Sequence, residues 1–464
     1  MFLPKIKIMK NLFFALIIAS FFGCSPAQKE SEKTETKEEK TPETVAQWSK
    51  NATIYEVNIR QHTLEGTFKA FEKDIPRIKE MGIEILWLMP ISPIGKENRK
   101  GPMGSYYSIT DYTAVNPEFG TLEDFKSLVK TAHENNMKVI LDWVANHTAW
   151  DSPWMQNKDW YTLDSLGNPG PPEGTDWSDV VDLNYDNQEM KTAMKDAMKY
   201  WLTEADIDGF RCDVASWVPT EFWNDARAEL DQVKPVFMLA EAEMPELHKK
   251  AFHMSYAWEF LHIMNSIAKG EMNLDAIDNY MAKEDTNHAP NDYRMYFVTN
   301  HDENSWNGTV YERFGEAYPA FATLAFTIDG MPLVYSGQEA GLNKALRFFD
   351  KDTINWEGYK LQDFYTKLLR LNQENPALFN GEAGGEFKRI KTSNDETVYA
   401  YTRTKGENQV VVVVNLTGDQ PINITLEGEG FNGEFTDLFS NQKYNLKAGT
   451  SLALTPYDYK VFYK

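Results

Sequence analysis

Cysteine is almost absent. The 464 residues hold two, Cys24 and Cys212. So long a chain with so few thiols cannot rest on a disulfide framework, and its stability must come from a packed core. Positive charge is also short: 47 Lys and Arg stand against 69 Asp and Glu, a formal net charge of −22. Phosphate backbones are gripped by clustered Lys and Arg, so nucleic acid is excluded as an expected partner. Long apolar runs are missing with one exception. The stretch "NLFFALIIASFFG" follows Lys5, Lys7 and Lys10 and ends at Cys24. A basic segment and a short apolar run of this kind read as an export signal, too short for a comfortable membrane span.

That N-terminus resembles a bacterial lipoprotein signal, in which residues 1–23 are removed and Cys24 is lipidated, with Phe21 where Leu is usual. An ordinary secretory signal or an uncleaved anchor would look similar. Residues 24–47 are charged, polar and poor in aromatics, and read as a disordered tether. "QKE" soon after Cys24 resembles surface-export signals of some Bacteroidetes lipoproteins. The expectation is a protein lipid-anchored outside the cytoplasm, at the outer membrane of a Gram-negative bacterium, with the cell surface as one place for it.

What is present begins at residue 48. Apolar residues make up 42% of the chain and aromatics 13%, enough for a large core. Short apolar runs alternate with amphipathic segments. "ATIYEVNI", "EILWLMPI", "KVILDWV", "IDGFRCDV", "PVFMLAEA", "SYAWEF", "RMYFVTN" and "MPLVYSG" read as eight strands. They are continuous apolar runs, as parallel strands buried on both faces are. "FKAFEKDIPRIKEMG" and "TLEDFKSLVKTAHENN" read as helices, the second capped by Thr121. Eight such units predict a (β/α)8 barrel over residues 48–379. Residues 147–185, rich in Gly, Pro, Asp and Trp, interrupt it as a long inserted loop subdomain, and loops of that length are usually functional. Residues 380–464 lose the helical signal and read as a small antiparallel β-sandwich domain.

Chemistry in such a barrel sits at the C-terminal ends of the strands. The third strand ends in Asp142, Asn146 and His147, the fourth in Arg211 and Asp213, the fifth in Glu241, the seventh in Asn300, His301 and Asp302. Arg211 and Asp213 are two apart and share a face. The guanidinium is expected to hold the Asp213 carboxylate ionised and depress its pKa, as a nucleophile requires. Glu241 would face it across a cleft, its pKa raised by neighbouring carboxylates. Each residue alone has a plain structural reading: a turn, a cap, an ion pair, a core histidine. Their arrival together at four strand ends favours a site, and one carboxyl charged with one protonated is the pattern of glycoside hydrolysis.

At these residues the chain resembles the α-amylase superfamily, glycoside hydrolase family 13. "DWVANH", "GFRCDVAS", "MLAEA" and "FVTNHD" resemble its four conserved regions in order and spacing, and "GMPLVYSGQEAG" its eighth-strand segment. The resemblance spans about residues 50–464 and implies roles. Asp213 would be the nucleophile, Glu241 the general acid/base and Asp302 the third carboxylate, which grips sugar hydroxyls. Arg211 would stand beside the nucleophile. His147 and His301 would bond the sugar, Tyr107 would stack on it, and Arg347 would contact the next one. Asp142 would be structural. The mechanism implied is retaining, with two carboxyls about 5 to 5.5 Å apart.

The chain departs from the pattern at Ser105, where His is frequent, at Ala240, where Gly is usual, and at Ser216 and Trp217, where many α-amylases carry Lys-His. Those last two positions put subsite preference in doubt. The resemblance also implies a structural calcium held by Asn146 and Asp182, with a backbone carbonyl that Trp217 could supply. The expected substrate is an α-glucan, hydrolysed at α-1,4 bonds. A neopullulanase or oligo-1,6-glucosidase-like hydrolase, a 4-α-glucanotransferase, and a non-catalytic glycan-binding lipoprotein stay open as alternatives.

Overall fold

The eight apolar runs form eight parallel strands, and the sheet they make closes on itself. In the computed structural model, which describes residues 45–464, the barrel strands are β1 (Ile54–Val57), β2 (Ile85–Leu88) and β3 (Lys138–Trp143). A two-stranded ladder follows, β4 (His147–Ala149) with β5 (Val180–Asp182). The barrel resumes with β6 (Gly209–Cys212), β7 (Phe237–Ala240), β8 (Met254–Tyr256), β9 (Tyr293–Tyr296) and β10 (Met331–Tyr335). β10 pairs back onto β1, with Glu56 opposite Tyr335. The export signal, Cys24 and nearly all of the tether lie outside the described residues.

Local chemistry explains most boundaries. Thr121 opens the helix Leu122–Glu134 with a capping box: its Oγ1 accepts from Asp124 N at 3.2 Å while its own N–H donates to the Asp124 carboxylate at 3.0 Å. The helix then buries Phe125, Leu128, Val129 and Ala132. The helix expected over "FKAFEKDIPRIKEMG" is instead two, Phe68–Glu72 and Ile75–Glu80. Pro76 has no N–H to donate and its ring collides with the preceding turn, so it starts a new helix. "SYAWEF" is a strand only through Tyr256; Trp258 already begins the helix Trp258–Ala268. Gly209 lets β6 approach β7 closely, for a Cβ there would sit 2.0 Å from the Phe237 carbonyl oxygen.

The C-terminal domain has eight antiparallel strands: β11 (Glu386–Thr392), β12 (Val398–Lys405), β13 (Asn408–Asn415), β14 (Ile422–Glu427), β15 (Gly433–Asp437), β16 (Lys443–Leu446), β17 (Ser451–Leu454) and β18 (Tyr459–Tyr463). β16 and β17 are opposite edges of the sheet, yet Leu446 of one and Leu454 of the other share a single core with Val398, Val411 and Phe462. The sheet is therefore folded over on itself. The other face of β12 and β13, with Tyr399, Tyr401, Val410 and Val412, belongs to the core of the barrel.

Candidate active site

Arg211 is fully buried, and a buried cation must be paired. It has three carboxylates. Nη1 donates to Asp142 Oδ1 at 2.8 Å and to Asp213 Oδ1 at 3.0 Å. Nη2 lies 3.0 Å from Glu241 Oε2, an ion-pair contact too far off axis to count as a hydrogen bond. Nε donates to the Tyr256 hydroxyl at 3.0 Å. Backbone pairing sets this geometry. Asp142 stands opposite Arg211 in the β3–β6 register. The ladder runs one step past the strands, Asp213 N to Trp143 O and Glu241 N to Cys212 O, both at 3.0 Å. Asp213 and Glu241 thus emerge side by side at the C-terminal rim.

Val214, next along, has a left-handed backbone at φ 37°, ψ 48°. A β-branched residue adopts this only under constraint. Its N–H donates to Glu241 Oε2 at 2.8 Å. With Val214 and Arg211 both on Oε2, a proton on Glu241 belongs on Oε1.

The expectation that Arg211 depresses the Asp213 pKa is corrected. Burial raises it well above the ordinary carboxylate range, Glu241 raises it further, and Arg211 pulls it only part of the way back. Burial likewise raises Glu241 and Asp142 against the pull of Arg211. One guanidinium does not offset three buried carboxylates, so the cluster tends to keep a proton.

The "FVTNHD" segment turns the chain from β9 into a helix. Asn300 caps it, its Oδ1 accepting from Glu303 N at 2.8 Å, and His301 and Asp302 fall in the first turn. His301 Nε2 lies 2.8 Å from the Tyr107 hydroxyl and 3.3 Å from Asp302 Oδ1. The Tyr107 hydroxyl donates to Asp142 Oδ2 at 3.0 Å, and the Trp87 indole donates to the same oxygen at 3.1 Å. Burial lowers the His147 pKa to about 4, so that ring is neutral.

A cavity of about 530 Å3 opens over this floor, lined by Tyr107, His147, Asp213, Glu241, His301 and Asp302 among others. Arg211 and Asp142 lie beneath it. The structure does not bring Arg347 into it: that side chain is two-thirds exposed and sits 3.7 Å from Asp350 and from Asp352, while its neighbours Phe348 and Phe349 line the cavity. Sequence reasoning missed Glu56, fully buried against His301. It also missed Trp177, which lines the cavity and stacks on Trp217 at 5.2 Å between ring centres. An acid inside the apolar run "IYEV" was the available signal for Glu56; no short-range signal marks Trp177.

The Asn146 and Asp182 side chains meet, Nδ2 donating to Oδ1 at 3.4 Å. No ion pair to Asp182 occurs among the described residues, and burial raises its pKa. Here the Asn146 amide nitrogen faces the carboxylate; with the amide turned over, its oxygen and Asp182 would suit a hard cation, with peptide carbonyls and water needed to complete six to eight ligands.

A closed (β/α)8 barrel whose rim joins an arginine-paired aspartate, a facing glutamate and an Asp–His pair defines a glycoside hydrolase. The chain belongs to the α-amylase family, glycoside hydrolase family 13: residues 30–167 and 174–376 match the model of the α-amylase catalytic domain, and residues 387–461 that of the maltogenic amylase C-terminal domain. α-Amylase MalA of Haloarcula japonica is 28% identical over 89% of this chain, which spans 61% of that protein. α-Amylase 3 of Dictyoglomus thermophilum is 26% identical over 80% of this chain and 85% of its own. Among solved structures, maltogenic α-amylase AmyB of Thermotoga neapolitana superposes with a TM-score of 0.81 at 30% identity, over 89% of this chain and 98% of that one.

Proposed function

We propose that the protein is a retaining α-amylase that hydrolyses α-1,4-glucosidic bonds of starch or maltodextrins. The carrying observation is Arg211 set 3.0 Å from both Asp213 and Glu241 at the floor of the cavity. Asp213 attacks the anomeric carbon while Glu241 gives its proton to the leaving oxygen. Water then cleaves the glycosyl-aspartate, with Glu241 taking the proton. Asp302 and His301 hold sugar hydroxyls, and His147, neutral, can donate or accept. Product analysis on amylose, pullulan and isomaltose is the test, with the anomer first released from amylose read by polarimetry. Release of the β-anomer, or turnover confined to isomaltose, would overturn the assignment.

A neopullulanase-like or glucanotransferase activity is the second reading, favoured by the Trp177–Trp217 stack, a surface on which an acceptor sugar can compete with water. The same product analysis separates them. Calcium held by Asn146 and Asp182 would tie β4 to β5 and support the inserted loop; chelation should then lower Tm. Lipidation at Cys24 would place the enzyme on a membrane, and Cys24→Ser should release it from the membrane fraction with its specific activity intact.

A further inference from the structure

We propose that Glu56 is a positioning residue of this site: from β1 it grips His301 by Nδ1 and keeps that ring a cation whose Nε2–H is held on Tyr107 beside Asp302. The proposal rests on the glycosidase reading above and adds to it a carboxylate from a strand that supplies none of the expected residues.

Glu56 is fully buried on β1, between Trp87 of β2 and Tyr335 of β10 in register. Its Oε1 meets His301 Nδ1, and its Oε2 has no hydrogen-bond partner. On the other side of the ring, the Tyr107 hydroxyl spends its hydrogen on Asp142, so its oxygen is left to accept. Nε2 must therefore carry a hydrogen. Nδ1 faces a carboxylate, so it too is a donor when Glu56 is ionised. Both nitrogens protonated is the imidazolium. The ring is fixed in this pose by Tyr107, stacked at 5.5 Å, and by the Trp87 edge at 6.1 Å.

The surrounding charges favour that state. Glu56 on β1, Asp142 on β3, Glu241 after β7 and Asp302 on the ring's own helix face it, against Arg211 from β6; the Tyr107 phenol touches the ring, and those of Tyr256 and Tyr335 act on Glu56. Burial pulls the His301 pKa down, but Asp302 and Glu56 outweigh it and push the pKa up to about 9; burial also raises the Glu56 carboxyl, and His301 and Arg211 pull it only part of the way back. A cationic Nε2–H held on the Tyr107 oxygen beside Asp302 fixes both side chains at the cavity wall and offsets one of the pocket's negative charges.

Glu56→Gln tests this, since glutamine keeps the shape and an acceptor oxygen but not the charge. Titration of the histidine ring protons by NMR, with His301 assigned as the resonance lost in His301→Gln, should show a wild-type midpoint near 9. In Glu56→Gln it should fall by at least about one unit. The alkaline limb of kcat/KM on maltoheptaose should move down with it, a shift that mere loss of stability would not produce. A neutral His301 ring at pH 7.5 in the wild-type protein overturns the proposal, and so does an unmoved midpoint in the variant. The wild-type titration decides even if Glu56→Gln does not fold. A high midpoint in a protein inactive on every glucan would refute the activity and leave the role of Glu56 standing.

Discussion

Asp213 and Glu241 have the same neighbour, and their difference lies in what else touches them. Glu241 Oε2 is taken by Val214 N–H and Arg211, leaving Oε1 toward the cavity. Asp213 shares Arg211 Nη1 with Asp142. Asp213→Asn should lower kcat by more than about 10³-fold, because the covalent step is lost. It should also be no less stable than wild type at pH 8. The sign follows from the raised pKa: a carboxyl raised in the folded state stabilises when protonated, and that contribution is lost as pH rises through the folded value. Chemical denaturation at pH 5 and pH 8 checks it, and a variant markedly less stable at pH 8 would contradict it. The same cluster should carry the acidic limb of kcat/KM above the ordinary carboxyl range, read from a pH–rate profile. Val214→Gly separates strain from packing. Glycine accepts φ 37° freely, so Tm should hold or rise, where an ordinary valine-to-glycine change would cost about 1 kcal/mol or more.

At the scale of elements, the sequence was most legible where one signal acts alone. Buried parallel strands need apolar residues on both faces, so all eight barrel strands stood out as runs. Thr121 with Asp124 three residues on marked a helix start, and the capping box is there. Thr121→Ala should cost about 1 kcal/mol by denaturant titration without touching activity. The strands β11, β16 and β17 carry the weakest sequence signal, since each is short or half exposed and buries few of its residues. The helix break at Pro76 was readable in principle; the apolar period on both sides concealed it. Four strand-end motifs placed His147, Asp213, Glu241, His301 and Asp302 at one rim, because barrel topology converts sequence order into a ring. Arg347 lies in a loop, where no register fixes direction, and its side chain turns to Asp350 and Asp352. Trp177 was hidden for the same reason: it reaches the cavity by the fold of the inserted loop, which period and propensity do not encode. Trp177 stacks on Trp217, which is half exposed, at an interplanar angle of 21°. Trp217→Ala should lower kcat/KM on maltoheptaose by about five- to tenfold, a stacking contribution of about 1 kcal/mol or slightly more. The loss on a short aryl maltoside should be smaller, and equal losses on both would remove the stack from substrate binding.

At the scale of the whole molecule, the barrel and the β domain are joined by shared core rather than by a linker alone. Arg403 of β12 is fully buried and reaches across, donating to the Ile328 carbonyl at 2.7 Å, the Gly385 carbonyl at 2.9 Å and Asp329 Oδ1 at 2.8 Å. The Tyr401 hydroxyl meets Thr327 Oγ1 at 2.6 Å, and the Tyr399 hydroxyl donates to Asp278 at 2.7 Å. Ile328 and Asp329 lead directly into β10, which closes the barrel against β1 and positions Glu56 opposite Tyr335. Cutting the chain after residue 379 would expose the apolar face of β12 and β13's partners and strip donors from buried carbonyls, so the isolated barrel should be insoluble. Arg403→Met is the finer test. It keeps much of the volume but leaves two buried carbonyls unsatisfied, at about 1 to 3 kcal/mol each. If the two domains share one core, calorimetry should show a single transition moved to lower temperature, with active-site residues unperturbed and kcat near wild type below it. Two separate transitions in wild type would mean that the β domain folds on its own, and that the barrel closes without it.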